Sequence, residues 1–179
     1  MGGSTLGSGF SGALIATGPH PSLGSHADTY GWLTGSWTGE YADRSADDGT
    51  LEKGEMEVHF AWVLEGRAMQ DVWIAPRISQ RRAGKGGGSR DTYGSTLRLF
   101  DPAIEAWRVW WLNPVNGVRN DLIGRRVGDE IVQTGWHKNT PIKWIFTRIS
   151  RESFIWQAYE LEADGSTWRL VTEFDLKRR

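Results

Sequence analysis

Two aspartates of this sequence could carry out proton chemistry on a bound molecule. Asp71 lies between Met69 and Trp73 in an apolar segment, and a carboxyl group in such surroundings could act as a general acid or base. Asp121 could play the same part. Both also have a structural interpretation, Asp71 as a hydrogen-bonded residue at the mouth of a barrel and Asp121 as a solvated residue near a turn.

Tyr159 offers a hydroxyl group that could orient a substrate. Gln157 stands two residues before it, so both side chains share one face of a strand. Together they supply a donor and an acceptor for a carbonyl or phenol group. The alternative is a core tyrosine whose hydroxyl reaches the rim. Asn113, which precedes Pro114, is either a third polar anchor or a residue that shapes the turn.

Tryptophan is unusually frequent, with eleven among 179 residues. Its ring buries a large area and can stack on flat ligands. Either the rings form an aromatic core, or some of them line a pocket. The candidates for pocket walls are Phe60, Trp62, Trp73, Trp107 and Trp111.

The composition excludes several kinds of site. Without cysteine, the chain has no disulfide, thiolate metal site or Cys nucleophile, and a cytoplasmic location is expected. His20, His26, His59 and His137 lack the spacing of a zinc site, so neither a metal nor a cofactor is expected. A net charge of −1 predicts no nucleic-acid partner, and no apolar run has the roughly 18 residues of a membrane helix.

These side chains must be positioned by strands, because short runs of Val, Ile, Thr and aromatics alternate with turn signals from Trp37 onward. Consecutive hairpins form a meander that closes into a barrel. The sequence therefore predicts an all-β fold, a roughly ten-stranded antiparallel up-and-down barrel over residues 28–179, with one short helical turn at its start. The predicted strands span residues 35–41, 55–63, 67–75, 93–100, 107–113, 119–126, 131–137, 142–149, 153–161 and 167–176.

Two segments stand apart from this pattern. Residues 1–27 contain no charged side chain and are rich in Gly and Ser, which predicts a flexible tail. Residues 77–92 carry five basic side chains and three consecutive glycines. This loop is either solvated and disordered, or it binds an anionic group or closes over one as a lid.

Pairing the strands through their turns predicts which residues face inward. If Leu99 pairs with Trp107, then Arg98 and Arg108 lie on the outer face. The same reasoning predicts that four further side chains face inward: Asp121, Trp136, Gln157 and Tyr159. Val58 and Trp62 share the inner face with Asp71 and Trp73. Three aromatic side chains then face outward and predict a homo-oligomer interface: Trp144, Phe146 and Trp156.

Four motifs follow one another along the chain: Gly35-Ser36-Trp37, Leu64-Glu65-Gly66-Arg67, Phe100-Asp101-Pro102, and Asp164-Gly165 before the basic end. In this order they resemble the calycin superfamily, which includes lipocalins, fatty-acid-binding proteins and nitrobindins, and especially its poorly characterised bacterial lipocalin-like members. The resemblance implies a barrel in which Trp37 packs beneath a late arginine, with Arg178 as the candidate.

Three functions are compatible with such a barrel, because this fold hosts transport, haem binding and catalysis alike. The first is binding of a small apolar or aromatic metabolite. The second is a metal-free isomerase, cyclase, lyase or hydratase in which Asp71 or Asp121 moves a proton. The third, implied by the likeness to nitrobindins, is haem binding through His59 or His137.

Overall fold

The computed structural model describes residues 9–45, 49–86 and 91–179, and over these ranges the chain forms a closed antiparallel barrel. Each strand pairs with its neighbour in sequence, and the first strand closes the barrel against the last. The strands are β1 (Gly35–Arg44), β2 (Leu51–Val63), β3 (Ala68–Ala75), β4 (Thr92–Asp101), β5 (Ala106–Asn113), β6 (Val118–Val127), β7 (Glu130–His137), β8 (Thr140–Thr147), β9 (Ser153–Leu161) and β10 (Trp168–Arg178). The predicted ten-stranded up-and-down barrel is confirmed.

The hairpin between β2 and β3 has the predicted register. Phe60 pairs with Asp71 and Trp62 with Met69, so the aromatic face of β2 and the face of Asp71 both point inward. The turn between these strands requires glycine at position 66, where φ is +79° and a β-carbon would lie 2.2 Å from the carbonyl oxygen of Gly18.

The chain before β1 packs onto this end of the barrel. A short helix α1 (Phe10–Leu14) is followed by 3-10 turns over Pro21–Thr29 and Gly31–Leu33. Hydrogen bonds join Ala16 N–H to the Trp62 carbonyl (2.8 Å) and His20 N–H to the Gly66 carbonyl (2.9 Å). Leu23 and Ala27 are buried. The flexible tail predicted for residues 1–27 is therefore wrong for residues 9–27, while residues 1–8 lie outside the described ranges.

The 3-10 turns close the base of the barrel over an aromatic cluster. Tyr30 and Leu33 are fully buried there, and the Trp37 indole N–H donates to the Leu33 carbonyl over 2.7 Å. Arg178 covers Trp37 as the resemblance implied: its guanidinium carbon lies 4.1 Å from the ring centroid. The same guanidinium donates to the carbonyls of Trp32, Thr34 and Arg151 over 2.8–2.9 Å.

The hairpin between β4 and β5 differs from the prediction by one residue. Phe100 rather than Leu99 pairs with Trp107, because Asp101 pairs with Ala106 and the loop between them has four residues. A shift of one residue exchanges the two faces of a strand. Arg98 therefore points inward and is 2% exposed, whereas Leu99 points outward and is 40% exposed.

A second one-residue difference, at the turn between β5 and β6, exchanges the two faces of β6 and β7 relative to the prediction. Trp111 pairs with Asn120, and Trp110 with Asp121, so Asp121 lies on the outer face and is exposed. Trp136, which pairs with Asp121, is also outside and 61% exposed. The predicted inward orientation of Asp121 and Trp136 is wrong.

The aromatic residues of β8 and β9 face the interior. Phe146 pairs with Trp156, and both are buried, as is most of Trp144. The predicted outward face of Trp144, Phe146 and Trp156 is therefore wrong. Gln157 and Tyr159 consequently lie on the outer face, because they alternate with Trp156.

Glu160 pairs with Arg169, with 2.8 Å between Oε2 and Nη2. This pair shares the face of Trp156 at the end of the barrel away from Trp37. A register shift between Leu170 and Thr172 changes the alternation in β10. Thr172 and Phe174 therefore point inward, whereas Trp168 and Leu170 point outward.

The basic loop after β3 is partly tied to the barrel. It contains a short helix α2 (Ile78–Arg82). Arg77 donates to the Met56 carbonyl over 3.2 Å, and Arg81 donates to the Ala75 carbonyl over 2.7 Å and lies 3.3 Å from the Asp91 carboxylate. The three consecutive glycines are only partly within the described ranges. None of the helices in those ranges is long and apolar enough to cross a bilayer.

Candidate functional site

A cavity of about 140 Å³ lies inside the barrel, at the end opposite the Trp37 base. The side chains around it come from β1, β3, β4, β5, β8, β9 and β10, so the closed sheet itself holds them in place. The lining is half aromatic and half polar: Asp43, Trp73, Thr92, Thr96, Arg98, Trp111, Trp144, Trp156, Thr172 and Phe174.

The aromatic lining forms a continuous belt. Ring centroids are 6.4 Å apart for Trp111 and Trp144, 5.4 Å for Trp144 and Trp156, and 5.6 Å for Trp156 and Trp73. Phe174 stacks on Trp156 at 4.8 Å. These distances are those of favourable aromatic pairs, so the rings support one another and leave their remaining faces to the cavity.

Gly94 makes room for one of these rings. Gly94 and Arg98 lie on the same face of β4, and the side chain of Trp111 extends from β5 over Gly94. A β-carbon at position 94 would lie 2.4 Å from Cη2 of Trp111 and 2.7 Å from the Leu112 carbonyl oxygen. Glycine is therefore required for Trp111 to reach its place in the belt.

The floor of the cavity is a buried ion pair. Nη1 of Arg98 lies 2.6 Å from Oδ2 of Asp71, and the two side chains are at most 2% exposed. The other Asp71 oxygen accepts the backbone N–H of Thr96, also over 2.6 Å. Desolvating two charges is costly unless geometry and further hydrogen bonds compensate, and the contacts of Asp71 meet this requirement.

Aromatic rings surround the guanidinium of Arg98. Its central carbon is 5.0 Å from the ring centroid of Tyr30, 5.7 Å from that of Phe60 and 5.8 Å from that of Phe146. Rings at these distances attract a cation electrostatically. Arg98 therefore lies at the boundary between the cavity above it and the aromatic base below it.

One donor of this arginine is unused. Within the described part of the chain, Nε of Arg98 is buried and has no hydrogen-bond partner. Below it, the Tyr30 hydroxyl accepts a hydrogen bond from the Gln133 amide over 3.0 Å. Burial raises the pKa of Tyr30 to about 12, although the nearby Arg98 charge opposes this shift. Tyr30 is thus a neutral phenol at physiological pH.

The aromatic residues predicted for the pocket are divided between two places. Trp73 and Trp111 line the cavity. Phe60 is behind Trp73, with ring centroids 5.7 Å apart. Trp62 and Trp107 belong to the base cluster, where Trp107 meets Tyr30 edge-on at 5.2 Å. The structure therefore brings two of these five rings to the cavity.

The predicted polar residues are mostly elsewhere. Tyr159 donates to Gln157 over 2.9 Å, and Gln157 donates to Glu173 over 2.6 Å, all on the outer face. Asp121 is outside as well. Asn113 is buried near the open end, where its side chain accepts the Val115 N–H over 3.1 Å. That contact is the turn-shaping role considered for Asn113.

Asp71 is inside the barrel as predicted, but its oxygens face Arg98 and Thr96. A carboxylate whose oxygens are engaged by a guanidinium and a backbone N–H is an effective support for the arginine. Its part in catalysis stays a prediction, whereas its contacts indicate that it positions Arg98.

Sequence reasoning missed Arg98, Trp144 and Trp156 as lining residues. One signal could have found Arg98. Asp71 was already expected inside, and a buried carboxylate requires a hydrogen-bonded or charged partner. Moving the β4–β5 register by one residue supplies this partner and also turns Phe100 inward beside Trp107.

The histidines considered for haem do not line the cavity. His59 is on the outer face, 2.8 Å from the Ser36 hydroxyl. His137 is near the open end, 3.3 Å from the Asn120 amide oxygen. Within residues 9–45, 49–86 and 91–179, no group of three or more His, Asp or Glu side chains is arranged to hold a metal ion.

No known protein family and no curated protein matches this chain. Its function is therefore inferred from the chemistry of the cavity.

Proposed function

We propose that this protein binds a small apolar or aromatic metabolite inside the barrel. The observation that carries the proposal is the cavity enclosed by Trp73, Trp111, Trp144, Trp156 and Phe174. An apolar pocket with a few convergent polar groups is the usual composition of a small-molecule site. Here the polar groups are three threonines, Asp43 and Arg98.

The size of the cavity favours a compact ligand. Its volume is about 140 Å³, and an apolar cavity of about 150 Å³ in another protein is known to hold benzene. A molecule with one aromatic ring therefore fits without rearrangement of the barrel. Flat rings also suit the belt, since they can stack on or meet the indoles edge-on.

The contacts at the base of the barrel support the proposal of a calycin-like protein. Arg178 lies 4.1 Å above the Trp37 ring and pairs with it in the β1–β10 register, which is the arrangement that the lipocalin resemblance implies. The 3-10 turns cover this base, so ligand entry is expected at the opposite end, where Asp43 and Thr92 lie on the lining.

Binding receives more support than the two alternatives. An acid–base enzyme would need Asp71 to exchange protons with a substrate, but Arg98 and Thr96 occupy its oxygens. Haem binding would need an axial ligand, and neither His59 nor His137 is on the cavity lining.

The proposal is tested by filling the cavity. Thr172→Phe adds a ring to the lining, whereas Thr134→Phe adds the same ring to the exposed outer face of β7. Calorimetric titration with toluene is expected to show saturable binding to the wild type and to Thr134→Phe. Thr172→Phe is expected to weaken it at least tenfold (about 1.4 kcal/mol).

Equal affinity in all three proteins would place toluene outside the cavity and contradict the proposal. Circular dichroism of each variant shows whether the barrel has folded. A second filling variant, Thr96→Leu, repeats the test from β4 with a smaller side chain.

A further inference from the structure

We infer that the ligand is an aromatic molecule with a hydroxyl group, and that this group forms a hydrogen bond with Thr96 inside the cavity. This inference rests on the proposed function and specifies the chemical class of the ligand. It requires a polar side chain that the ligand can reach, a place for the ring beside it, and a chemical reason for a hydroxyl group.

The available polar group is the side-chain hydroxyl of Thr96. Thr96 lines the cavity and is 2% exposed. Its backbone N–H donates to Asp71, but its hydroxyl takes part in no hydrogen bond within the described residues. Nε of Arg98 also lacks a partner, but protein atoms enclose it, whereas the Thr96 oxygen is not among the enclosed atoms. A molecule in the cavity can therefore supply the partner that this buried hydroxyl lacks.

The strand register places this hydroxyl beside an aromatic wall of the cavity. Thr96 of β4 pairs directly with Trp111 of β5, and paired side chains on one face of a sheet have β-carbons about 4.5–5.5 Å apart. Asp71 of β3 is the partner on the other side. A ring that contacts the Trp111 indole therefore brings its own substituent close to Thr96.

The ion pair next to Thr96 favours a neutral group on the ligand. Nη1 of Arg98 lies 2.6 Å from Oδ2 of Asp71, and both side chains are buried, so the two charges offset each other. A carboxylate or ammonium group beside Thr96 would lose its hydration without gaining an oppositely charged partner there, which is costly. A neutral group avoids this cost.

A hydroxyl group matches Thr96 better than a carbonyl or ether oxygen does. A threonine hydroxyl has one donor and two acceptor sites. A ligand hydroxyl can donate to Thr96 or accept from it, whereas a carbonyl or ether oxygen can only accept. Thr92 and Thr172, the other two threonines of the lining, have the same excess of acceptor sites. The lining therefore favours a ligand that carries a donor.

The experiment measures the binding of phenol and toluene to variants of Thr96 by calorimetric titration. Thr96→Val replaces the hydroxyl with a methyl group of similar size. We expect this change to weaken phenol binding about tenfold (about 1.4 kcal/mol), because the phenol hydroxyl loses its partner in the cavity. The affinity for toluene, which has no hydroxyl group, should change by less than about twofold.

Thr134→Val is the matched control, because Thr134 lies on the exposed outer face of β7; it should leave both affinities unchanged. Thr96→Ser keeps a hydroxyl group and should retain most of the affinity for phenol. If Thr96→Val fails to fold, Thr96→Ser and Thr96→Ala form a second matched pair. Both lack the methyl group of threonine, and only the serine variant has a hydroxyl.

An equal loss of phenol and toluene affinity in Thr96→Val would overturn the role of Thr96 and leave the binding proposal in place. Binding of toluene without binding of phenol would have the same meaning. A larger loss for benzaldehyde than for phenol in Thr96→Val would overturn the hydroxyl group in favour of a carbonyl. Binding of neither phenol nor toluene to the wild type would contradict the proposed function as well.

Discussion

Arg98 of β4 and Asp71 of β3 form an ion pair of 2.6 Å inside an otherwise aromatic barrel. The pair separates two regions of the interior. On one side is the cavity with its belt of tryptophans, and on the other is the base cluster beneath the 3-10 turns. Both the stability of the barrel and the chemistry of its cavity depend on this contact.

The ion pair predicts an unequal effect of single and double substitutions. Arg98→Met leaves Asp71 buried without its cation, which should lower the free energy of unfolding by about 3–5 kcal/mol. Asp71→Asn combined with Arg98→Met removes both charges and keeps an acceptor for the Thr96 N–H. Urea unfolding followed by tryptophan fluorescence should show that the double variant recovers at least half of the loss. A single variant within about 1 kcal/mol of the wild type would contradict this account.

The base of the barrel should depend on Arg178. Arg178→Ala removes the hydrogen bonds to the Trp32, Thr34 and Arg151 carbonyls and the contact with Trp37. We expect the free energy of unfolding to fall by about 2 kcal/mol. Arg178→Lys should cost less, since it keeps a cation over the indole. Arg179→Ala is the control, because that side chain is 68% exposed; an equal loss in the control would contradict the prediction.

The raised pKa of Tyr30 predicts a loss of stability at alkaline pH. Its pKa rises to about 12 in the folded barrel because burial disfavours the phenolate, whereas the unfolded chain has a value near 10. Between these values the unfolded state binds fewer protons, so stability falls as the pH increases. The expected loss is roughly 2–3 kcal/mol between pH 10 and 12.

The Tyr30→Phe variant checks this pH dependence. Its unfolding free energy should decrease less between pH 10 and 12 than that of the wild type. Tyr93→Phe, at a tyrosine that is 42% exposed, should keep the wild-type slope. Identical slopes in the wild type and Tyr30→Phe would refute the assignment.

The strands could be predicted because their signals are local. Each run of Val, Ile, Thr and aromatics ends at a turn residue, and Gly66 fixes the turn between β2 and β3. The orientation of Val58, Phe60 and Trp73 followed correctly from this hairpin. The N-terminal segment was misjudged, because its composition resembles a linker while Leu23 and Ala27 are buried against the barrel.

The inner faces of β4, β6 and β7 could not be predicted because they depend on the exact lengths of two connections, the one after Asp101 and the one between Asn113 and Val118. A four-residue connection after Asp101, rather than a shorter or longer one, decides whether Arg98 or Leu99 points inward. The rule that arginines lie outside gave the wrong choice, since Arg98 has a buried partner in Asp71. The same rule for charged residues also turned Trp144 and Trp156 outward in the prediction.

The central claim is that the belt of tryptophans encloses a site for a small aromatic molecule. Diffraction from crystals soaked in bromobenzene tests it most directly, because the anomalous signal of bromine locates the ring. We predict a peak in the cavity among Trp73, Trp144 and Trp156. An empty cavity with bromine only on the outer surface, for example beside the exposed Trp136, would contradict the account.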